Sequence, residues 1–183
     1  MKKTLIAIAA VALASTALAA PKADGKIDAK EYDNSFKGKN VPVTVNYTID
    51  GDTIYFGLEC ETTGWCGIGW NPTGSKKSGA DMIMAFIDKG KVQFADLLQG
   101  RATGAPDLDT DEGGKDNILT KAAAQNGKTL VVEFSRKLDT GDKKTDVVIK
   151  KGENVFLLAI GDKPDFGDRH SRSQREEIKV TLK

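Results

Sequence analysis

The chain has only one histidine among its 183 residues, and no serine, histidine and aspartate in the order of a hydrolase triad. It also has no glycine-rich loop of the kind that holds nucleotide phosphates. Nucleophilic hydrolysis and phosphoryl transfer depend on such constellations. The sequence therefore gives no signature of a hydrolase or a transferase, and we expect a protein that is not an enzyme.

A large excess of charge of either sign is also absent. The sequence carries 27 basic and 26 acidic residues, and removal of Lys2 and Lys3 with the leader described below leaves 25 basic residues and a net charge near −1. Nucleic acids and anionic membranes are drawn to basic surfaces. We therefore expect no nucleic-acid partner.

Long hydrophobic runs are confined to the start of the chain. A positive segment, Met1–Lys3, precedes the apolar run 5–18, and small residues at 17–19 fit a cleavage site. These features predict a signal peptide over residues 1–19 and export to the periplasm or the extracellular space. No second apolar run follows, so we expect no membrane span in the mature chain 20–183, whose length suits a single domain.

Beyond the leader, the periodicity is that of β-strands. Short segments of alternating apolar and polar residues are separated by turn sequences such as Asp50-Gly51-Asp52. The predicted strands are Val41–Ile49, Thr53–Glu61, Trp65–Trp70, Asp81–Ile87, Lys91–Leu97, Thr129–Phe134, Val147–Ile149, Val155–Ile160 and Glu177–Leu182. Their number and spacing predict an all-β fold, an immunoglobulin-like antiparallel β-sandwich. Only Asn117–Ala124 has a sequence that could be helical.

The two cysteines are six residues apart in sequence. Cys60 falls on the inner face of one predicted strand and Cys66 on that of the next, with residues 61–65 as the loop of a hairpin. Such a hairpin places the two side chains opposite each other, and an oxidising compartment favours a disulfide. Two buried free thiols are the alternative.

Glycines alternate with large side chains in the segment Gly64–Trp70. A glycine-rich strand is typical of a place where another backbone or a flat ligand approaches closely. If that ligand is haem, His170 is the only imidazole in the chain that can bind its iron. The sequence has no Cys-x-x-Cys-His motif for covalent haem attachment.

The chain resembles the DOMON domain family in several motifs that follow one another in family order. These are residues 64–74, Gly79–Met82, Val92–Asp96, Pro106 with Asp109, Gly127–Leu138, Asp142 and Phe156–Gly161 ahead of His170. The entry segment Asp24–Tyr32 is similar to the start of family-nine carbohydrate-binding modules. The resemblance implies a β-sandwich that binds either a b-type haem, as in the cytochrome domain of cellobiose dehydrogenase, or a sugar. Most haem binders of this family transfer single electrons.

The resemblance also implies two iron ligands. His170 lies at the position of the family histidine, and Lys77 stands where many haem binders have methionine. A lysine must lose a proton before its nitrogen can donate a lone pair. With a pKa near 10.4, this deprotonation costs roughly 4.6 kcal/mol at pH 7. His170 and Lys77 are therefore the predicted metal ligands. Met82 and Met84 are possible substitutes for Lys77, which could also be a plain surface lysine.

Further residues are candidates for contacts with the cofactor. The possible cleft wall comprises Trp65 or Trp70, Met82, Met84, Phe86, Phe156, Leu158 and Phe166, any of which could equally belong to an ordinary core. Arg169, Arg172 and Arg175 lie near His170 in sequence and could pair with haem propionates. The predicted function is an exported b-type cytochrome domain that relays electrons to a redox partner protein. The alternative is a carbohydrate or small-ligand binding module that uses Trp65 or Trp70 as a stacking platform.

One acidic segment, Asp107–Asp111, has carboxylates at alternate positions, as calcium loops do at their start. Glu112 stands where such a loop needs its turn glycine, and Ile118 where it needs its closing glutamate. The sequence therefore does not predict a calcium loop. Asp81 and Asp96 are interpreted as residues that support the fold through hydrogen bonds.

Overall fold

A computed structural model describes residues 19–183, so the predicted signal peptide lies outside the described residues except for Ala19. The strands in this range are β1 Asn34–Lys37, β2 Val43–Asp50, β3 Thr53–Glu61, β4 Cys66–Trp70, β5 Ala80–Asp88, β6 Lys91–Gln99, β7 Asp107–Leu108, β8 Thr120–Asn126, β9 Thr129–Lys137, β10 Gly152–Ile160 and β11 Arg175–Leu182. A 3₁₀ helix spans Arg172–Gln174. No helix among the described residues is long and apolar enough to cross a membrane.

The strands form two antiparallel sheets. The order in the first sheet is β1-β2-β3-β9-β8, and the order in the second is β11-β10-β4-β5-β6-β7. The predicted all-β antiparallel sandwich is confirmed. Two of the strands that were not predicted are β1 and β7. β1 is an edge strand of the first sheet and β7 is an edge strand of the second, and both are short and contain few apolar residues.

The main core lies between the sheets because strand residues of period two face it from both sides. Ile54, Phe56 and Leu58 project inward from β3, and Ile68 and Trp70 project inward from β4. Each is at most 1 % exposed. Burial of side chains of this size contributes about 1.5–3 kcal/mol apiece, so this alternation drives the two sheets together.

The predicted hairpin between β3 and β4 is wrong. β3 pairs with β2 and β9 in the first sheet, whereas β4 pairs with β5 and β10 in the second. The predicted disulfide is confirmed: Cys60 and Cys66 are bonded, with their Cα atoms 6.2 Å apart. The bond therefore joins the two sheets across the core instead of joining neighbours within one sheet.

Two further secondary-structure predictions fail. Residues 120–124 of the segment that could be helical belong to β8, which pairs with β9 along its whole length. Val147–Ile149, a predicted strand, belongs to neither sheet. Its backbone is nevertheless held, because Val147 N–H donates to the Asp81 carboxylate at 2.9 Å and Ile149 N–H donates to the Leu138 carbonyl at 2.9 Å.

A second apolar cluster lies on the outer face of the six-stranded sheet. Met84 and Phe86 on β5 join Trp65 and the β6 residues Ala95 and Leu97 there, all of them buried. The residues of β5 thus alternate between this outer cluster and the main core. The candidate functional site lies on this apolar outer face.

Candidate functional site

A cleft of about 780 Å³ opens on the outer face of the six-stranded sheet. Residues of β4, β5 and β10 form its floor, and the segments 102–106 and 166–170 form its rims. Pockets for small molecules and cofactors typically measure about 300–1,000 Å³ and are mostly apolar. The cleft therefore has the size and lining of a cofactor site.

Two glycines of β4 make the floor level. Gly67 and Gly69 face the cleft, while Ile68 and Trp70 between and beside them face the core. A Cβ atom added to Gly69 would stand 2.8 Å from Cγ of Met82, and one added to Gly67 would stand 3.2 Å from Cγ of Met84. The glycines thus leave room for two methionines of β5, which explains the alternation of glycines with large residues.

His170 lies on the rim of the cleft and is half-buried. Its Nδ1 lies 3.2 Å from the carbonyl oxygen of Ser171, which can only accept, so Nδ1 carries the proton and Nε2 keeps the lone pair. Burial lowers the pKa of His170, and the positive charges of Arg175 and Lys77 act in the same direction. The imidazole is therefore neutral at pH 7 and can donate Nε2 to a metal.

Trp65 fastens the loop that carries His170 to β4. Its indole N–H donates to the carbonyl of Asp168 at 3.1 Å, and its ring lies edge-on to the imidazole at a centroid distance of 6.1 Å. Gly161 N–H donates to the Trp65 carbonyl at 2.9 Å. These contacts fix the position of the imidazole, and the alternating glycine pattern was the sequence signal for this residue.

Lys77, the other predicted metal ligand, also lines the cleft and is half-buried. Its ammonium group donates to the carbonyl of Gly104 on the rim at 2.8 Å. Burial lowers the pKa of Lys77, and the charge of Arg175 adds to this effect. Both changes reduce the cost of deprotonation, although a ligand role requires the bond to Gly104 to break.

The other predicted contact residues divide into two groups. The residues that line the cleft are Trp65, Met82, Met84, Leu158, Phe166, Arg169 and Arg175. The residues that do not line it are Trp70, Phe86, Phe156 and Arg172. Phe86 lies in the outer apolar cluster and Phe156 in the main core. Trp70 lies fully buried on the opposite face of β4, where its indole N–H donates to the Val147 carbonyl at 2.9 Å, and Arg172 is exposed in the 3₁₀ helix.

One wall of the cleft was missed by sequence reasoning. The segment Ala102–Ala105 lines the cleft just ahead of Pro106 and has no recognisable motif of its own, because it is a short turn-rich loop without periodicity. Its contribution depends on backbone carbonyls such as that of Gly104, which every residue type carries. No sequence signal could have indicated it.

Two curated relatives match part of the chain. It is 32% identical over 103 residues to MOXD1 homolog 2 of Drosophila melanogaster, a match that covers 56% of this chain and 13% of the relative. It is 33% identical over 92 residues to DBH-like monooxygenase protein 1 of Mus musculus, covering 50% of this chain and 14% of the relative. The chain thus spans about one seventh of the length of these relatives.

The fold is shared with two solved cytochrome domains. The cytochrome domain of Myriococcum thermophilum cellobiose dehydrogenase superposes with a TM-score of 0.57 at 14% identity, covering 81% of each chain. The cytochrome b domain of pyranose dehydrogenase from Coprinopsis cinerea gives a TM-score of 0.54 at 12% identity, covering 79% of this chain and 80% of that domain. The DOMON domain family model matches residues 38–161, and the chain belongs to this family.

Proposed function

We propose that the protein is an exported b-type cytochrome domain that holds haem in the outer-face cleft and relays single electrons to a redox partner protein. The observation that carries this proposal is the position of His170, a neutral imidazole on the rim of an apolar cleft. The likeness of the fold to two cytochrome domains supports it.

The residues of the cleft fit a flat, apolar ring with charged substituents. Gly67 and Gly69 leave a level floor, and Met82, Met84 and Phe166 supply apolar wall. The exposed side chains of Arg169 and Arg175 at the rim suit carboxylates that remain in water. Haem, when bound, supplies an iron centre that changes oxidation state by one electron, while the protein binds it and sets its potential.

His170 is the proposed first iron ligand and Lys77 the proposed second. The lowered pKa values of both side chains favour the forms that can donate a lone pair. Met82, beside Gly69 on the floor, is the competitor of Lys77, since a thioether needs no deprotonation. The disulfide between Cys60 and Cys66 supports an oxidising compartment, in line with the proposed export.

The alternative function, carbohydrate binding, receives less support from the two tryptophans. A sugar-stacking platform exposes one face of its ring, whereas Trp65 is 3% exposed and Trp70 is fully buried. Both indole N–H groups already donate to backbone carbonyls. We therefore retain haem binding as the proposed function.

The decisive experiment is a haemin titration of the purified protein, followed by absorption spectra of the oxidised and reduced forms. We expect a six-coordinate b-type spectrum from the parent protein and its loss in His170→Ala. Arg172→Ala, in the same loop but away from the cleft, is the matched control and should bind haem normally. A parent protein that takes up no haemin would refute the proposal.

The second ligand is identified by a parallel set of variants. Lys77→Ala should convert the spectrum to five-coordinate, and Lys77→Met should restore six-coordination with a higher reduction potential. Lys163→Ala, an exposed lysine that does not line the cleft, is the control. An unchanged spectrum in Lys77→Ala would exclude lysine and direct the same test to Met82.

A further inference from the structure

A buried group of carboxylates lies between the two sheets, on the inner side of the six-stranded sheet and away from the cleft. Asp81 and Asp96 belong to β5 and β6, Asp109 follows β7, and Asp146 lies in the connection between β9 and β10. We call these four residues the acidic cluster. Oxygens of Asp81, Asp96 and Asp146 lie within 4.8 Å of one another. Asp109 is tied to β6 because its N–H donates to the Asp96 carbonyl at 3.1 Å.

Among the described residues, Arg136 is the only cation paired with the acidic cluster. Its guanidinium, projecting inward from β9, donates to Asp81 at 2.8 Å and to Asp146 at 3.1 Å. Arg136 and both of these carboxylates are at most 3% exposed. Ionisation of all four carboxylates against one guanidinium would leave an excess of negative charge in a dry site, which is costly unless protons or further positive charge are bound.

Hydrogen bonds from the protein satisfy only one oxygen of three of the carboxylates. Oδ2 of Asp81 accepts from Val147 N–H at 2.9 Å, Oδ2 of Asp96 accepts from Asn117 N–H at 2.8 Å, and Oδ2 of Asp146 accepts from the Asn117 amide at 3.0 Å. Oδ1 of each has no donor among residues 19–183. One side of each carboxylate is thus held in place, and the other side is free to bind.

Asp109 is an independent indication of a ligand. It is 1% exposed, and neither of its carboxylate oxygens has a hydrogen-bond donor in the described part of the chain. The buried hydroxyl of Thr145 makes no hydrogen bond of ordinary geometry there either. Burial raises the pKa of Asp109, and the neighbouring Asp146 and Thr145 side chains lie close enough to act on it through hydrogen bonding. Native proteins pair nearly all buried polar groups, so these oxygens indicate a cation site.

We propose that the acidic cluster is a structural calcium site. Asp81, Asp96 and Asp146 would provide the first ligands, since their oxygens lie within 4.8 Å of one another. The oxygens without a donor, which are available to the cation, are Oδ1 of these three residues, both carboxylate oxygens of Asp109 and the hydroxyl of Thr145. Ca²⁺ takes 6–8 oxygen ligands, whereas Mg²⁺ keeps several of its waters, for which a fully buried site offers little room. The absence of nitrogen and sulfur donors in this set disfavours zinc and copper.

The cation would join the six-stranded sheet to the connection between β9 and β10, and Arg136 of the five-stranded sheet pairs with the same carboxylates. Asp81 and Asp96 belong to the six-stranded sheet, Arg136 belongs to the five-stranded sheet, and Asp109 and Asp146 lie in connections. Asp81 also directly precedes Met82 on the floor of the cleft. Calcium would therefore stabilise the sandwich and support the cleft, whether or not the cleft binds haem.

The test uses the full-length chain, purified without chelator. We expect metal analysis to find a single calcium per chain and removal by a strong chelator to lower the midpoint of thermal unfolding. Readdition of Ca²⁺ should restore the midpoint, and Mg²⁺ at the same concentration should not. Terbium should bind in place of calcium and be sensitised by Trp70, whose ring centroid lies 4.6 Å from the Arg136 guanidinium.

Two variants separate a calcium site from a purely structural cluster. Asp96→Asn should weaken calcium binding at least about tenfold, the loss typical even of residues that only support a metal ligand. Asp109→Asn should lose the calcium-dependent rise in the unfolding midpoint while keeping at least the midpoint of the parent in chelator, because it removes a buried carboxyl group that has no hydrogen-bond donor in the described chain. Asp111→Asn, an exposed neighbour, is the matched control and should behave as the parent.

Three outcomes would overturn the proposal. The first is a parent protein whose unfolding midpoint is the same in calcium and in chelator and which gives no sensitised terbium emission. The second is an equal response to Mg²⁺ and Ca²⁺, which would exclude calcium selectivity. The third is an unaltered calcium response in Asp109→Asn, which folds even if Asp96→Asn does not, because its oxygens make no hydrogen bond in the described chain.

Discussion

The cleft and the acidic cluster lie on the two sides of β5 and differ in how their polar groups are satisfied. In the cleft, Trp65, Lys77 and His170 each contact a backbone carbonyl, and the charged rim is exposed to water. In the acidic cluster, the carboxylates are buried and several oxygens lack donors. The protein can therefore fold around an empty cleft at little cost, whereas the acidic cluster needs positive charge to be stable.

The comparison predicts that removing the one guanidinium from the acidic cluster has the largest effect. Arg136→Met leaves two buried carboxylates without their cation and should lower the free energy of unfolding in chelator by about 3–5 kcal/mol. Urea denaturation measures this change. Lys137→Met, next along β9, breaks an exposed pair with Asp52 and should leave stability nearly unchanged. Equal losses of stability in Arg136→Met and Lys137→Met would contradict the distinction between the buried acidic cluster and an exposed ion pair.

Acidity should affect the acidic cluster more than the cleft. Burial raises the pKa of Asp81 to about 7, of Asp96 to about 6 and of Asp109 to about 8. The folded chain then binds protons that the unfolded chain has released, so stability falls as pH rises from about 4 towards 8. One pKa unit corresponds to about 1.4 kcal/mol, so the fall in chelator should be at least about 4 kcal/mol.

Urea unfolding at several pH values checks this prediction, with Asp109→Asn as the comparison variant. The variant has one carboxyl fewer to ionise, so its stability should depend less on pH. Arg136 and Asp146 face Asp81 and Asp96 and also act on their pKa values. Asp146 acts on the pKa of Asp109 as well. A parent protein that becomes more stable as pH rises through this window in chelator would show that the buried carboxyls are ionised throughout.

A methyl group on the cleft floor should weaken haem binding without unfolding the protein. Gly69→Ala places a Cβ atom 2.8 Å from Cγ of Met82, and overpacking of this kind costs about 1–3 kcal/mol. The added Cβ atom should push the Met82 side chain into the cleft, and haemin titration should measure the resulting loss of haem affinity. Gly100→Ala has open space around the added Cβ and is the control. Normal haem affinity in Gly69→Ala would place the ligand elsewhere.

The smallest effect is expected at the rim. Arg169 lines the cleft and is exposed, so its pairing with a carboxylate of the ligand should contribute about 0.2–1 kcal/mol. Arg169→Ala should therefore weaken haemin binding a few-fold, and more so at low ionic strength. Arg172→Ala, which lies away from the cleft, should have no effect. Identical haemin affinities of Arg169→Ala and Arg172→Ala would show that Arg169 does not contact the ligand.

Most strands could be predicted, because alternation of apolar residues in strands such as β2 and β3 reflects burial of a single face. β8 could not, since its alanines carry no such alternation and its structure depends on pairing with β9. The predicted hairpin of β3 and β4 failed for a different reason. Sequence proximity favours pairing, but the connection crosses from one sheet to the other, and only the disulfide between them was predictable.

The candidate cleft was partly predictable. The motif pattern indicated His170, Lys77, Met82 and Met84, all of which line it. It did not decide which tryptophan faces the cleft, because the alternation puts Trp65 with Gly67 and Gly69 on one face of the segment and Trp70 on the other, without showing which face the cleft adjoins. The rim loop 102–106 contributes backbone atoms and carries no side-chain signal.

By itself, the sequence determined the all-β class, the family motifs, the lone histidine and the glycines that leave one face of β4 without side chains. These properties depend only on residue type and on the spacing of residues within short segments. Only the tertiary structure decided which face of each strand meets the core and which four aspartates meet in the acidic cluster. Their separations in sequence, from Asp81 to Asp146, are spanned by long-range strand pairing, which no local pattern encodes.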